Sequence, residues 1–276
     1  MPVSRRFENI SGSRVAFLET TGEAPVLLIH GFFTSCFLWG ELAQAHGADR
    51  RFLAPDLEGF GDTHCPSQLD LGFERQTEFL SQFLLARCGL QPVSIVAHSH
   101  GVIPALMLAM QKPGLVRDLV LLSPVFAENF PGPMAGPFMW AARSRLAWEA
   151  FFHSGLARAT VERHLRRAFV APGTRYEAAV EEFWRPFANS PTARTRLRRV
   201  FEECDGRLVS TFSRHLDHVK QPVKVLVGRQ DSLVDLQMAS RLSSAIPNAS
   251  CHQVDSAGHF LPLEEPGLLY SELFPG

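Results

Sequence analysis

Very little in this chain points outward to a charged partner. Its 27 lysines and arginines nearly balance its 28 aspartates and glutamates, leaving a net charge of −1. A field that weak favours neither nucleic acid nor an anionic membrane surface. Paired cysteine motifs are also missing. Cys36, Cys65, Cys88, Cys204 and Cys251 are odd in number and irregularly spaced, with no CxxC pair. They read as reduced thiols, neither a disulfide framework nor a metal site. No apolar run approaches the length of a membrane span. The opening Met1-Pro-Val-Ser-Arg-Arg-Phe-Glu lacks the apolar stretch of a signal peptide. The expectation is a cytoplasmic protein with no membrane span and no nucleic-acid partner. Lysine is scarce, at positions 112, 220 and 224 alone. What remains is ordinary for a globule: 46% hydrophobic and 20% charged over 276 residues, which suits one α/β domain carrying an insertion.

Apolar runs and turn residues alternate along the first half. Residues 5–10 and 14–19 flank Ser11-Gly12-Ser13 and predict a hairpin. Residues 26–30, 51–55, 93–97 and 119–122 predict strands, the last of them the sixth. Between them the pattern predicts a short helix around Trp39 and two longer helices, over 73–87 and 102–111. Phe73, Thr77, Leu80, Phe83 and Leu84 line one face of the first of these two. Asp56-Leu57-Glu58-Gly59-Phe60-Gly61-Asp62 is a glycine-punctuated loop. Buried strands alternating with helices imply a largely parallel sheet covered on both faces.

The pattern breaks after Leu122. Residues 129–133, with two prolines, read as a loop. Amphipathic stretches follow, with Trp148, Phe151 and Phe152, then Val161, Leu165 and Phe169, at helical spacing. Thr174-x-x-Glu177 reads as a capping box before Val180, Phe183, Trp184 and Phe187. Ser190-Pro191 reads as a helix start before Ala193, Leu197, Val200 and Phe201. The sheet resumes with a strand over 223–227, a helix over 236–245, a strand over 250–254 and a short helix near Leu268.

The residues suited to chemistry sit at strand ends. Strand 93–97 runs into His98-Ser99-His100-Gly101 and then a helix-prone run. A small residue, Ala97, stands two before the serine, and a glycine two after it. This is the strand–sharp turn–helix context in which a serine is held up as a nucleophile. Small flanks are needed because neighbouring backbone comes close. An earlier strand ends in His30-Gly31-Phe32-Phe33, and a late one in Gly228-Arg229-Gln230-Asp231. After the last strand comes Asp255-Ser256-Ala257-Gly258-His259-Phe260, a small-residue loop.

A serine hydroxyl needs a base, and the base needs a third group to fix its tautomer and stabilise its cation. Ser99, His259 and Asp231 are the candidate nucleophile, base and acid. A turn aspartate and a satisfied loop histidine are the plain alternatives for the last two. Asp235 and Asp255 compete for the acid's place. Asp235 reads as the first turn of a helix, and Asp255 is too near His259 in sequence to orient it. His30 reads as a structural brace. His98 and His100 read as packing and local hydrogen bonding, and the pair lacks a third ligand, so no metal site is expected.

The chain order Ser99, Asp231, His259, together with His30-Gly31 and the Asp56-Leu57-x-Gly-x-Gly loop, resembles the α/β-hydrolase superfamily. The resemblance runs from about residue 5 to 275, with no recognisable motif between 124 and 212. One departure is Ala97, where glycine is usual. The resemblance implies a mostly parallel central sheet with helices on both faces. It divides the chain into a core, 1–123 and 213–276, and a helical cap, 124–212, inserted after the sixth strand. It also implies a covalent acyl-enzyme mechanism with no metal or organic cofactor. The oxyanion donors would be the backbone N–H groups of His100, after the nucleophile, and Phe32, after His-Gly. Each such donor is worth about 3 kcal/mol.

Some relatives place the acid after the sixth strand, where this chain has Ser123-Pro124. The His-Ser-His-Gly string is also similar to that of cofactor-independent quinolone dioxygenases on the same fold, whose acid lies at that other position. A C–C bond hydrolase or lyase and a non-catalytic small-molecule receptor are further readings of the same fold. Aromatic residues crowd the segment 124–212, and many of them are simply its core. A cap packed over the elbow would still build an apolar pocket. Phe33, His98, Trp140, Phe151, Trp184 and Phe260 are the pocket candidates. The expected partner is a hydrophobic acyl or aromatic ester, thioester or lactone. The segment's many arginines read mostly as a solvated face.

Overall fold

The computed structural model describes residues 4–274 apart from 67, 128–129, 133–134 and 172. Of the proline loop expected at 129–133, positions 129 and 133 therefore lie outside the described residues. Eight strands form one sheet: β1 (Arg5–Ile10), β2 (Ser13–Glu19), β3 (Ala24–Ile29), β4 (Arg50–Pro55), β5 (Val93–His98), β6 (Val116–Leu122), β7 (Val223–Gly228) and β8 (Ala249–Val254). Their order across the sheet is β1-β2-β4-β3-β5-β6-β7-β8. β1 pairs antiparallel with β2, and β2 with β4; all other pairs are parallel. The composition explains this. Residues 25–29 of β3 and all of β5 are buried, as strands covered by helices on both faces must be.

The helices of the core are α1 (Gly40–His46), α2 (Phe73–Cys88) and α3 (Val102–Gln111). β3 and β4 are consecutive and adjacent, and the chain then crosses back over β3 to lay down β5 on its other side. Such a reversal opens a crevice at the carboxyl ends of the strands. The segments after β3, β5, β6, β7 and β8 all emerge on that edge.

Between β6 and β7 lie α4 (Ala135–Ala142), α5 (Arg145–His153), α6 (Leu156–Ala168), α7 (Thr174–Ala188), α8 (Pro191–Glu203) and α9 (Gly206–Phe212). Their shared core is aromatic. Phe201 of α8 lies 5.5 Å from Phe138 and 5.3 Å from Phe33, and Phe152 stacks on Trp184 at 5.5 Å. Burying a side chain of this size is worth about 1.5–3 kcal/mol. The same kind of contact joins the insertion to the sheet edge: Phe33 to Phe138 at 4.2 Å, Phe37 to Phe183 at 5.8 Å and Phe169 to Phe260 at 5.0 Å. Ion pairs add to the seam. Arg5 joins Asp62 to Glu182 of α7, Arg185 reaches Asp62 at 2.6 Å, and Arg175 reaches Glu41 at 2.8 Å.

The chain closes with α10 (Leu236–Ser244), α11 (Leu261–Glu264) and α12 (Pro266–Leu273). α12 packs on α1. One expectation is corrected. Thr174 does not cap α7: it is already the first helical residue, Gly173 holds the cap position, and no side chain accepts a hydrogen bond there. Ser190 does cap α8, accepting from the Ala193 N–H at 3.2 Å, with Pro191 in the first turn. Among the described residues no helix is long and apolar enough to cross a membrane.

Candidate active site

Ser99 follows β5 directly, and its backbone stands at φ +54°, a left-handed conformation that side chains other than glycine seldom adopt. The surroundings hold it there. β5 is locked between β3 and β6. Gly101 passes so close to β3 that a Cβ at that position would lie 2.4 Å from the His30 carbonyl oxygen. A Cβ on Gly31 would lie 2.9 Å from the Ser99 Cβ. Both approaches need the missing side chain. Phe33 and Ser123, which follow β3 and β6, also stand at positive φ, +56° and +45°. Strained backbone therefore gathers at this edge, as it does at functional sites.

The Ser99 hydroxyl lies 3.2 Å from His259 Nε2, and His259 Nδ1 lies 3.0 Å from Asp231 Oδ2. The side chains of His259 and Asp231 are 3% and 0% exposed, so water hardly screens the pair. Asp231 sits in the turn after β7, where its Oδ1 accepts from the N–H groups of Leu233 at 2.8 Å and Val234 at 3.0 Å. Burial by itself would raise the Asp231 carboxyl. The His259 ring, the Leu233 N–H and the Ser123 hydroxyl outweigh it and hold the group below its ordinary value. An ionised Asp231 accepts the Nδ1–H and leaves the Nε2 lone pair facing Ser99. The arrangement can thus take the Ser99 proton and balance the charge that results.

The loop carrying His259 is held from two sides. Its N–H donates to the Ala168 carbonyl at 3.0 Å. Glu264 accepts from Gly258 N–H at 3.1 Å and from Val170 N–H at 2.6 Å, so one carboxylate pins this loop to the end of α6. The competing acids are engaged elsewhere. Asp235 caps α10 by accepting from Met238 N–H at 2.8 Å, and exposed Asp255 pairs with Arg229 at 2.8 Å.

The other histidines have assignable tautomers. His30 accepts from Leu57 N–H at 2.9 Å through Nε2 and donates Nδ1–H to Gly31 O at 2.7 Å. It ties the end of β3 to the 56–62 loop. His98 donates Nε2–H to the His259 carbonyl at 2.9 Å. His100 donates Nε2–H to the Pro131 carbonyl at 2.8 Å, stacks on Phe32 at 4.1 Å, and turns Nδ1 toward the Ser99 hydroxyl at 3.4 Å. Burial pushes His98 down to about 3 and His100 down to about 4, so both rings are neutral. Among the described residues neither the Phe32 nor the His100 backbone N–H donates to a loop or turn carbonyl.

A cavity of about 20 Å³ lies over Ser99, room for about one water molecule. Of the pocket candidates, Phe33, His98 and Phe260 line it, beside Phe32, Thr34, His100, Val125, Pro131, Gly132, His164, Leu165, Leu233 and His259. Trp140, Phe151 and Trp184 do not. Trp140 is 64% exposed. It stands two residues from buried Phe138, which on a helix is the opposite face. Phe151 packs on Phe138 at 5.0 Å and Trp184 on Phe152, inside the insertion's own core. His164 was not anticipated. Its signal was its place on the stripe Ala157, Val161, Leu165 and Ala168, which α6 buries. None of the insertion's arginines lines the cavity. Among the described residues no cluster of histidine, cysteine and carboxylate side chains could hold a metal ion.

Comparison with known proteins gives a consistent picture. The α/β hydrolase fold family model matches residues 24–266. The sn-1-specific diacylglycerol lipase ABHD11 of Mus musculus is 28% identical over 254 residues, covering 87% of this chain and 76% of that protein. The probable lysophospholipase BODYGUARD 2 of Arabidopsis thaliana is 25% identical over 255 residues, which is 85% of this chain and 54% of that protein. The chain therefore spans about half the length of that relative. Among solved structures, Cfl2 from Burkholderia cenocepacia superposes with a TM-score of 0.79 at 25% identity, over 98% of this chain and 94% of that one. A thermophilic esterase from Thermogutta terrifontis reaches 0.80 at 17% identity, over 98% and 96%, and shares the fold. With most of its length matched and the sheet in place, this chain belongs to the α/β hydrolase fold family.

Proposed function

We propose that this enzyme cleaves an ester, thioester or lactone of a hydrophobic small molecule through a covalent acyl-enzyme on Ser99. The relay from Ser99 through His259 to Asp231, built on a serine at φ +54°, carries this reading. Ser99 Oγ attacks the carbonyl carbon as its proton passes to His259 Nε2. Asp231 stabilises the imidazolium so formed. The Phe32 and His100 N–H groups donate to the oxyanion, and the leaving group departs with the proton from His259. Water then repeats the sequence and releases the acid.

Residues 124–212 act as a cap on a core of 1–123 and 213–276. The room over Ser99 is small, about 20 Å³, and in this reading the cap helices part to admit an acyl chain and close again over it. The walls set the class of substrate: Phe32, Phe33, Val125, Leu165, Leu233 and Phe260 are apolar. The lipid-cleaving names of two relatives agree with that. The nearest support for a dioxygenase is His100 Nδ1 beside the hydroxyl. Against it, the carboxylate partner of His259 follows β7, and the residue after β6 is Ser123, which hydrogen-bonds that same carboxylate.

A panel of p-nitrophenyl esters tests the proposal. Ser99→Ala is expected to fold normally and lose kcat/KM by roughly 10³- to 10⁶-fold. Near-normal turnover in that variant would rule out the covalent route. Preference for charged or very polar acids over medium-chain or aromatic ones would overturn the substrate class.

A further inference from the structure

Four imidazoles border the cavity, and three of them already make hydrogen bonds, although His98 Nδ1 has no partner among the described residues. His259 bridges Ser99 and Asp231, while His98 and His100 each donate to a backbone carbonyl. The remaining one, His164, comes from α6 and makes no hydrogen bond among the described residues. The Thr34 hydroxyl, the other polar side chain at the wall, donates to Gly31 O at 2.8 Å. His164 occupies a position where packing alone asks for an apolar residue, since Ala157, Val161, Leu165 and Ala168 on the same stripe of α6 are all buried.

Burial, reinforced by the nearby His259 and His100 rings, holds His164 down at about 3. The ring is therefore neutral and offers one N–H donor and one lone pair. A neutral ring gives a carboxylate no ion pair. It does match a hydroxyl, a ketone or an ether oxygen. The ring is only partly buried, so the cost arises when a ligand covers it: a nitrogen then left without a partner costs about 1–3 kcal/mol. A ligand that satisfies it is favoured over an isostere that cannot, and this asymmetry makes buried polar groups strong discriminators.

We infer that His164 recognises an uncharged oxygen set back from the scissile carbonyl, so that the substrate is an oxygenated acyl compound and not a plain hydrocarbon acid. The inference rests on the acyl-transfer reading of Ser99 and narrows it. His164 is here a specificity-determining residue; it takes no part in the proton relay.

Isosteric esters in which one methylene is replaced by oxygen provide the test. The p-nitrophenyl esters of methoxyacetic, 3-methoxypropanoic and 4-methoxybutanoic acid are each compared with the butanoate, pentanoate or hexanoate of equal length. Rates with hydroxide alone correct for intrinsic reactivity. At one oxygen position the corrected kcat/KM ratio of oxygen ester to all-carbon ester is expected to be at least about tenfold higher in the natural enzyme than in His164→Leu. His164→Gln, which keeps a donor and an acceptor, is expected to restore part of it. Equal ratios in the natural enzyme and His164→Leu at every position would overturn the inference. So would a preference lost equally in both variants, since that assigns His164 to shape alone. Labelling of Ser99 by a fluorophosphonate, with turnover of the all-carbon esters, shows the acyl-transfer reading intact whichever way the ratios fall. Absence of both would overturn the two together.

Discussion

Ser99 carries a hydroxyl that is a weak nucleophile in any ordinary serine, and its neighbours account for the proposed change. His259 faces it with a lone pair because its other ring nitrogen donates its N–H to Asp231, and Asp231 keeps its charge because three donors outweigh its burial. Around this relay the remaining rings are kept neutral, and that has a consequence for pH. His98 and His100 stand near 3 and 4 in the folded protein, against an ordinary value of 6.5. Between those limits the unfolded chain binds protons that the folded chain refuses. Their contribution to stability is therefore complete above about pH 6.5 and is lost as the pH falls toward the folded values. The loss is at most about 1.4 kcal/mol per pH unit for each ring. Denaturant unfolding at pH 7, 6 and 5 is expected to show a falling midpoint, with a shallower fall in His98→Gln. A profile that stays flat from pH 7 to 5 would contradict the burial of neutral imidazoles. At this scale the three acids could be told apart in the sequence, because each has a local signature. Asp235 opens a helix, Asp255 stands four residues before the ring, and Asp231 follows a buried strand. His164 escaped notice because a lone histidine on an amphipathic stripe looks like any other helical residue until the opposite wall is known.

The joint between β5, the Ser99 turn and α3 is the element on which the site depends. Gly101 lets this joint rest against β3. Gly101→Ala would push a Cβ to 2.4 Å from the His30 carbonyl oxygen, a backbone atom with little room to yield. Separating β3 from the elbow moves Ser99 relative to both His259 and Phe32. Thermal unfolding and ester kinetics on that variant are expected to show about 1–3 kcal/mol of lost stability and a loss of kcat/KM out of proportion to it, at least about a hundredfold. Activity like that of the natural enzyme would mean the joint tolerates the shift. Strand–turn–helix joints are legible in sequence because apolar runs and small residues mark both sides of the turn. Their limits are less so. β6 begins at Val116, three residues before the apolar run, because Val116 and Asp118 pair with β5 although Arg117 and Asp118 are polar. Of the helices between β6 and β7, α5, α6, α7 and α8 were legible as helices and not as walls. Periodicity tells which face of α4, α5 or α7 is buried. It does not tell whether that face meets a cavity or another helix, and Trp140, Phe151 and Trp184 were misplaced for that reason.

In the whole molecule, five strand ends on one edge of a sheet bring together residues as far apart as Ser99, Asp231 and His259. The order of strands made that edge predictable, since the winding reverses between β3 and β5. The aromatic seam and the Arg5–Asp62–Arg185 ion pairs join the helices between β6 and β7 to that edge, and His164 and Leu165 of α6 border the cavity above the hydroxyl. The proposed site is thus a reactive serine at that edge, bordered by the helices that follow β6. Exposure of the purified protein to a fluorophosphonate, followed by intact-mass and peptide mass spectrometry, tests this most directly. The account predicts one adduct per chain, on Ser99, absent in Ser99→Ala and formed at least about a hundredfold more slowly in His259→Ala. A folded protein that gains no adduct, or gains it on another residue, would contradict it.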